Sequence, residues 1–101
     1  MKIPTEITIC GIKHKVILEP DNNGGWFNEG KKAIGIGVVR KDDIPEVILH
    51  EVLESIMAIR NMRYAKERAE PDNGDYLFSF NHDQFEQFVK DAVAALRGIK
   101  F

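Results

Sequence analysis

The residues best placed to do chemistry fall in one apolar run, Val47-Ile-Leu-His50-Glu51-Val-Leu-Glu54-Ser-Ile-Met57. At helical spacing, side chains four apart stack on one face, so His50 and Glu54 point the same way. Glu51 is turned about 100° from His50 and leans over the edge of whatever those two hold. An imidazole and a carboxylate one turn apart, with a second carboxylate beside the first, is the spacing of an H-E-x-x-H metallohydrolase helix with glutamate in place of the second histidine. Catalytic zinc takes three protein ligands and leaves a fourth position to water. His50 and Glu54 supply two, and His82 is the leading candidate for the third. It sits in the first turn of the only other clear helix, on the face expected to pack against the first. Glu86, one turn after His82, is the alternative ligand, or else a solvated helix residue. Glu51 would lie near the zinc-activated water, whose pKa falls to about 7, and would take its proton as general base. Opposed to this is a surface stripe with ordinary ion pairs, for instance to Arg60 or Arg63. The apolar surroundings weigh towards a metal, because buried charges are paired or metal-bound.

The elements that must position these groups are legible from pattern. Thr5–Cys10 alternates polar with apolar and reads as a half-buried strand; Cys10-Gly11-Ile12 turns the chain, and Lys13–Leu18 returns as the second strand of a hairpin. His14, between two lysines, is expected to face solvent, and Cys10 to be a small buried residue. Pro20–Gly25 and Asn28–Lys32 are turns. Ala33–Val39 is a strand with Ile34, Ile36 and Val38 on one face and a bare opposite face at Gly35 and Gly37. Glycines there either let the helix sit close or leave an edge for strand addition by an extended peptide. Asp43-Ile-Pro-Glu46 opens the first helix, with Asp43 as cap and Glu46 as its capping-box partner, and Asn61 stops it. Its apolar residues cover most of its circumference, which predicts a central element buried on several sides. A second hairpin is expected, with a turn over Glu70–Asp75 and Tyr64 near Tyr76 or Phe78. Asn81 and Gln84 form a capping box for a last helix. Its stripe of Phe85, Phe88, Val89, Ala92, Val93 and Leu96 is expected to face the core, and Gly98 ends it.

Composition narrows the classes. With 44% hydrophobic and 30% charged residues in 101, the chain reads as one ordinary globular domain over residues 1–101. A net charge of −2 gives no reason to expect a nucleic acid or a membrane surface as partner. The single cysteine excludes an intrachain disulfide and suits a reducing compartment. No apolar run reaches the roughly 20 residues of a membrane span and the start lacks a secretory pattern, so a cytoplasmic location is expected. There is no glycine-rich phosphate loop, no serine nucleophile elbow and no pair of Glu-x-x-His motifs for a di-iron site.

Several pieces together resemble a known group: Ile34-Gly-Ile-Gly, Leu49-His50-Glu51-Val-Leu-Glu54-Ser-Ile, Met62-Arg63-Tyr64 and Phe78-Ser-Phe-Asn81-His82-Asp-Gln-Phe85. Across nearly its whole length the chain resembles the minimal zincin-like metallopeptidases, near the gluzincins. It is most similar among these to small phage- and prophage-associated HExxE proteins. The resemblance implies an α+β domain, a small antiparallel sheet packed against two helices, with zinc on His50, Glu54 and His82 and Glu51 as catalytic base. It implies a peptide or protein substrate, with a non-catalytic, metal-stabilised phage binding module as the alternative.

Overall fold

The computed structural model describes residues 2–65 and 76–101. The hairpin of β1 (Glu6–Ile9) and β2 (Ile12–Glu19) closes through Cys10 and Gly11, both at positive φ (52° and 78°). Two consecutive left-handed residues match the right-handed twist of the flanking strands. The chain then crosses to β3 (Gly25–Asn28) and turns back as β4 (Ala33–Gly37), giving a sheet in the order β1-β2-β4-β3. The expected antiparallel sheet is therefore mixed, because β4 runs parallel to β2 and antiparallel to β3. Trp26 and Phe27, left between two expected turns, form with Gly25 and Asn28 a strand, β3, that the pattern did not show.

Register sorts the two faces. Ile7 pairs with His14, Val16 with Ile34, and Ile34 with Phe27, so these side chains share one face with Ile9 and Ile36. Both helices pack on this face. α1 (Ile44–Ile59), entered through a single 3-10 turn at Lys41–Asp43, buries Ile44, Ile48, Val52 and Ile56 at i, i+4 spacing against Ile7, Ile9, Ile34 and Ile36. α2 (His82–Leu96) adds Ala95 to this cluster, with Phe88, Ala92 and Leu96 half-buried beside it. The other face carries Glu6, Thr8, Lys13 and Lys15, all exposed.

Three local expectations are corrected. His14 is 1% exposed rather than solvent-facing, with its Nδ1 2.8 Å from the Ile12 carbonyl oxygen and its ring beside Phe27. The strict alternation that sends Lys13 and Lys15 outward sends His14 inward. β4 has neighbours on both sides and offers no edge for an added strand. Its bare face is covered instead: a Cβ on Gly35 would lie 2.0 Å from the Trp26 indole nitrogen, and one on Gly37 would meet the backbone of Asn22 and Asn23. Asp43 precedes α1 but makes no side-chain capping bond; it faces Arg40 at 3.7 Å.

The helix ends otherwise follow the sequence. Asn61 adopts φ 58° just beyond α1, and Gly98 φ 86° just beyond α2. Asn81 and Gln84 exchange both bonds of a capping box. A short second sheet pairs β5 (Arg63–Ala65) with β6 (Tyr76–Phe78), setting Tyr64 opposite Leu77, so that Tyr76 and Phe78 fall on the other face of the sheet rather than beside Tyr64. The turn expected over residues 70–75 lies outside the described residues. Among the described residues no helix is long and apolar enough to cross a membrane.

Candidate functional site

α1 is less enclosed than its apolar content predicts. Leu49 and His50 face solvent, whereas Glu51 and Ser55, one turn apart, are buried against the sheet. The Ser55 hydroxyl donates back to the Glu51 carbonyl oxygen, which binds the serine into the helix and leaves the Glu51 carboxylate unassisted.

His50 contacts both motif carboxylates, but among the described residues the three do not close into a mutually adjacent group of metal-capable atoms. His50 Nε2 lies 2.9 Å from Glu54 Oε2 and 3.8 Å from Glu51 Oε2. The side chains differ sharply in setting: His50 is 65% exposed, while Glu51 retains 10%. Among the described residues, His50 is the only polar partner of the Glu51 carboxylate. Burial pushes the Glu51 carboxyl above its ordinary value; His50 pulls it down, Glu54 pushes it up and Arg63 pulls it down by lesser amounts.

A pocket of about 370 Å³ opens beside this group, lined by Gly24, Gly25, Asp43, Glu46, Val47, His50 and Glu51. Its strand-side wall requires glycine. A Cβ on Gly25 would fall 2.6 Å from the Gly35 carbonyl oxygen and 2.9 Å from both Glu51 Cγ and Val47 Cγ1. Sequence reasoning placed the functional glycines in β4; the one that lets the sheet approach the site is in β3, in a Gly24-Gly25 pair read only as a turn. Among the described residues, the pocket wall carries three carboxylates and no lysine or arginine.

Glu54 has a second partner. Its Oε1 accepts from Arg63 Nη1 at 3.1 Å, and the Arg63 guanidinium lies over the Tyr76 ring, 4.1 Å from its centroid. β5 and β6 thus hold a cation against the motif, one of the two arginines that the sequence offered as an ion-pair partner. The other, Arg60, turns to α2, where Nε and Nη2 donate to the two Asp91 oxygens at 2.8 and 3.1 Å. Asp91 also accepts from Gln87 at 3.0 Å and faces the Cys10 thiol at 3.6 Å. Burial alone would raise the Asp91 carboxyl, but its hydrogen bonds to Arg60 and Gln87 outweigh that and hold it below its usual value. Cys10 is half-buried rather than buried; burial, and then the Asp91 charge, push its thiol up, which suits an inert cysteine.

His82 is not brought to His50 and Glu54. It is 79% exposed in the first turn of α2, with Nδ1 3.6 Å from Glu86 Oε1, and it lines a different surface hollow together with Phe85, Glu86, Val89 and Lys90. The metal-capable atoms that gather near it are those of Asp83 and Glu86, all exposed. Among the described residues no such group joins His82 to the α1 motif. α2 meets the end of α1 through Asp91, nine residues beyond His82, which at 1.5 Å per residue is about 13 Å of helix. Compared with protein-family models, characterised proteins and solved structures, the chain gives no match. The site therefore stands on its own geometry.

Proposed function

We propose that the α1 pocket is a metal-dependent hydrolytic site of the peptidase type, in which His50 and Glu54 hold a divalent cation and Glu51 moves the proton. The observation that carries this reading is the approach of Glu54 Oε2 and Glu51 Oε2 to within 2.9 and 3.8 Å of His50 Nε2, with His50 and Glu51 lining a pocket. An imidazole nitrogen and a carboxylate oxygen suit zinc as two of its ligands, though several divalent ions accept the same donors. When bound, zinc supplies Lewis acidity towards water and a carbonyl oxygen. Glu51 then accepts a proton at its carboxylate, and the burial that raises its proton affinity makes it a stronger base than a solvated glutamate. His50, exposed at the rim, orients Glu54 and admits solvent. The acidic wall of Asp43 and Glu46 favours substrates with a basic group close to the scissile bond. The lone thiol of Cys10 fits action in a reducing compartment such as the cytoplasm.

Zinc stoichiometry and affinity of the purified chain test the reading. Wild type is expected to bind one zinc. His50→Ala and Glu54→Ala should lose it; His82→Ala should retain it, given its separation. Glu51→Gln should keep zinc and lose cleavage of an unstructured protein substrate. Zinc binding that survives His50→Ala would overturn the proposal.

One observation favours a second reading. Arg63 already neutralises Glu54 at 3.1 Å, which is what a metal-free, ion-paired surface stripe on a non-catalytic binding module would show. On that reading no zinc binds, and Arg63→Ala changes stability and nothing else. On the first reading Arg63→Ala removes a competing cation and tightens zinc binding.

A further inference from the structure

The α2 stripe expected to enter the core does so only along one edge. Buried positions centre on Asp91 and Ala95, whereas Phe85, Val89 and Val93 are 45%, 44% and 54% exposed. Val89 and Val93, with the half-buried Phe88, Ala92 and Leu96 and with Arg97, line a groove of about 360 Å³ that is almost wholly apolar. Phe80 prolongs the surface by stacking on Phe85 at 6.2 Å between ring centroids. Contiguous apolar surface of this kind marks an interaction site.

We infer that this face is the interface of a two-fold symmetric homodimer, in which α2 packs antiparallel on α2 of a second copy. Self-complementarity points to the occupant. A two-fold axis across a helix pairs each residue with its reflection about one midpoint. A midpoint at position 91 sets Val89 against Val93 of the second copy, with Phe85 and Leu96 facing each other about half a residue to one side of it. Glu86 and Arg97 face each other about half a residue to the other side. All three pairs occur twice, so two ion pairs of opposite sign bracket a continuous apolar seam. Helical geometry agrees: Glu86 and Arg97 are eleven residues apart, about 20° round the axis, hence on the same flank of the stripe. Antiparallel helices bring like flanks together. Both residues are exposed, and among the described residues Arg97 has no ion pair within its own chain. An unrelated partner would require neither pairs centred so near one another nor the matching signs.

Sedimentation equilibrium of the full chain tests the inference. Wild type should be a dimer that dissociates on dilution. Val89→Asp, at an exposed position outside the core, should be a folded monomer by circular dichroism, with association weakened about 100-fold by a buried charge at the seam centre. Glu86→Arg and Arg97→Glu should each weaken the dimer about tenfold through like-charge contacts, and the double exchange should restore it. A wild type that is monomeric at every concentration overturns the proposal and leaves the groove to a different partner. A dimer indifferent to Val89→Asp overturns it too. Failure of the double exchange to restore association overturns the register.

Discussion

Replacing the Glu51 carboxylate with the neutral Glu51→Gln amide should stabilise the protein at neutral and alkaline pH. Glu51 keeps only 10% of its side-chain exposure, and among the described residues its one ion-pair partner is His50 Nε2 at 3.8 Å. If protonated, that imidazole would offer about 4 kcal/mol at an effective dielectric of about 20. His50 is 65% exposed, however, and solvent screening reduces such a pair to about 1 kcal/mol or less. Against this, removing an ionised carboxylate from water costs several kcal/mol. Burial therefore wins, and the folded-state carboxyl is raised above the ordinary 4.5. The sign follows: protonated Glu51 supports folding fully below that ordinary value, and the support is lost as pH rises through the higher folded-state value. Glutamine has no such loss but leaves a buried amide poorly bonded, at about 1 kcal/mol. The net gain for Glu51→Gln is on the order of 1 kcal/mol near pH 8, or about 4–8 °C in Tm for a chain of this size. Urea unfolding followed by the fluorescence of Trp26, the only tryptophan, measures it; a chelator excludes any contribution from metal. The gap between variant and wild type should open with rising pH and then level off. A variant less stable at pH about 8, or a gap independent of pH, would refute the claim that an unassisted buried carboxylate lines the pocket.

Other outcomes follow from single contacts. Gly25→Ala forces a methyl to within 2.9 Å of Glu51 Cγ and Val47 Cγ1 and should cost about 1–3 kcal/mol by overpacking, read as a lower urea midpoint together with weaker zinc binding. Arg60→Ala strips the guanidinium from Asp91, whose side chain is 9% exposed while that of Arg60 is 40%. With that exposure discounted, the loss should be about 1–2 kcal/mol. Because Asp91 is held below its usual value, the loss should be present at neutral pH and shrink as acid protonates the carboxylate. Asn81→Ala breaks both bonds of the capping box and should cost about 1 kcal/mol, seen as loss of helical signal from α2 before global unfolding.

The parts of the fold governed by local geometry were legible in the residues: the Cys10-Gly11 reversal, the Asn61 and Gly98 helix stops and the Asn81–Gln84 box each depend on two or three adjacent positions. What the sequence hid depends on partners distant along the chain. Nothing in Ala33–Val39 says that β3 will flank it, so its glycines read as room for the helix or as a free edge when they are seats for Trp26 and for the backbone at Asn22 and Asn23. The His14 error was avoidable, because a strand that turns Lys13 and Lys15 outward has one direction left for the residue between them.

The site was legible in half. Spacing alone joins His50, Glu51 and Glu54, since one helix carries them all, and the structure keeps them within hydrogen-bond or ion-pair reach. The third ligand was inferred from a helix-packing face, and that inference failed for a physical reason. The apolar stripe of α2 is wider than the face α1 and β1 can cover, and the Arg60–Asp91 pair, polar and therefore absent from any hydrophobic pattern, decides how the helix is rotated. Docking through Asp91 and Ala95 turns Phe85, Val89 and Val93 outward and leaves His82 solvated in its own first turn. One charged contact thus separates the expected ligand from the motif and exposes the surface on which the proposed dimer would form. Arg60→Ala should consequently perturb association as well as stability, whereas a change confined to the motif, such as Glu54→Ala, should leave association unchanged.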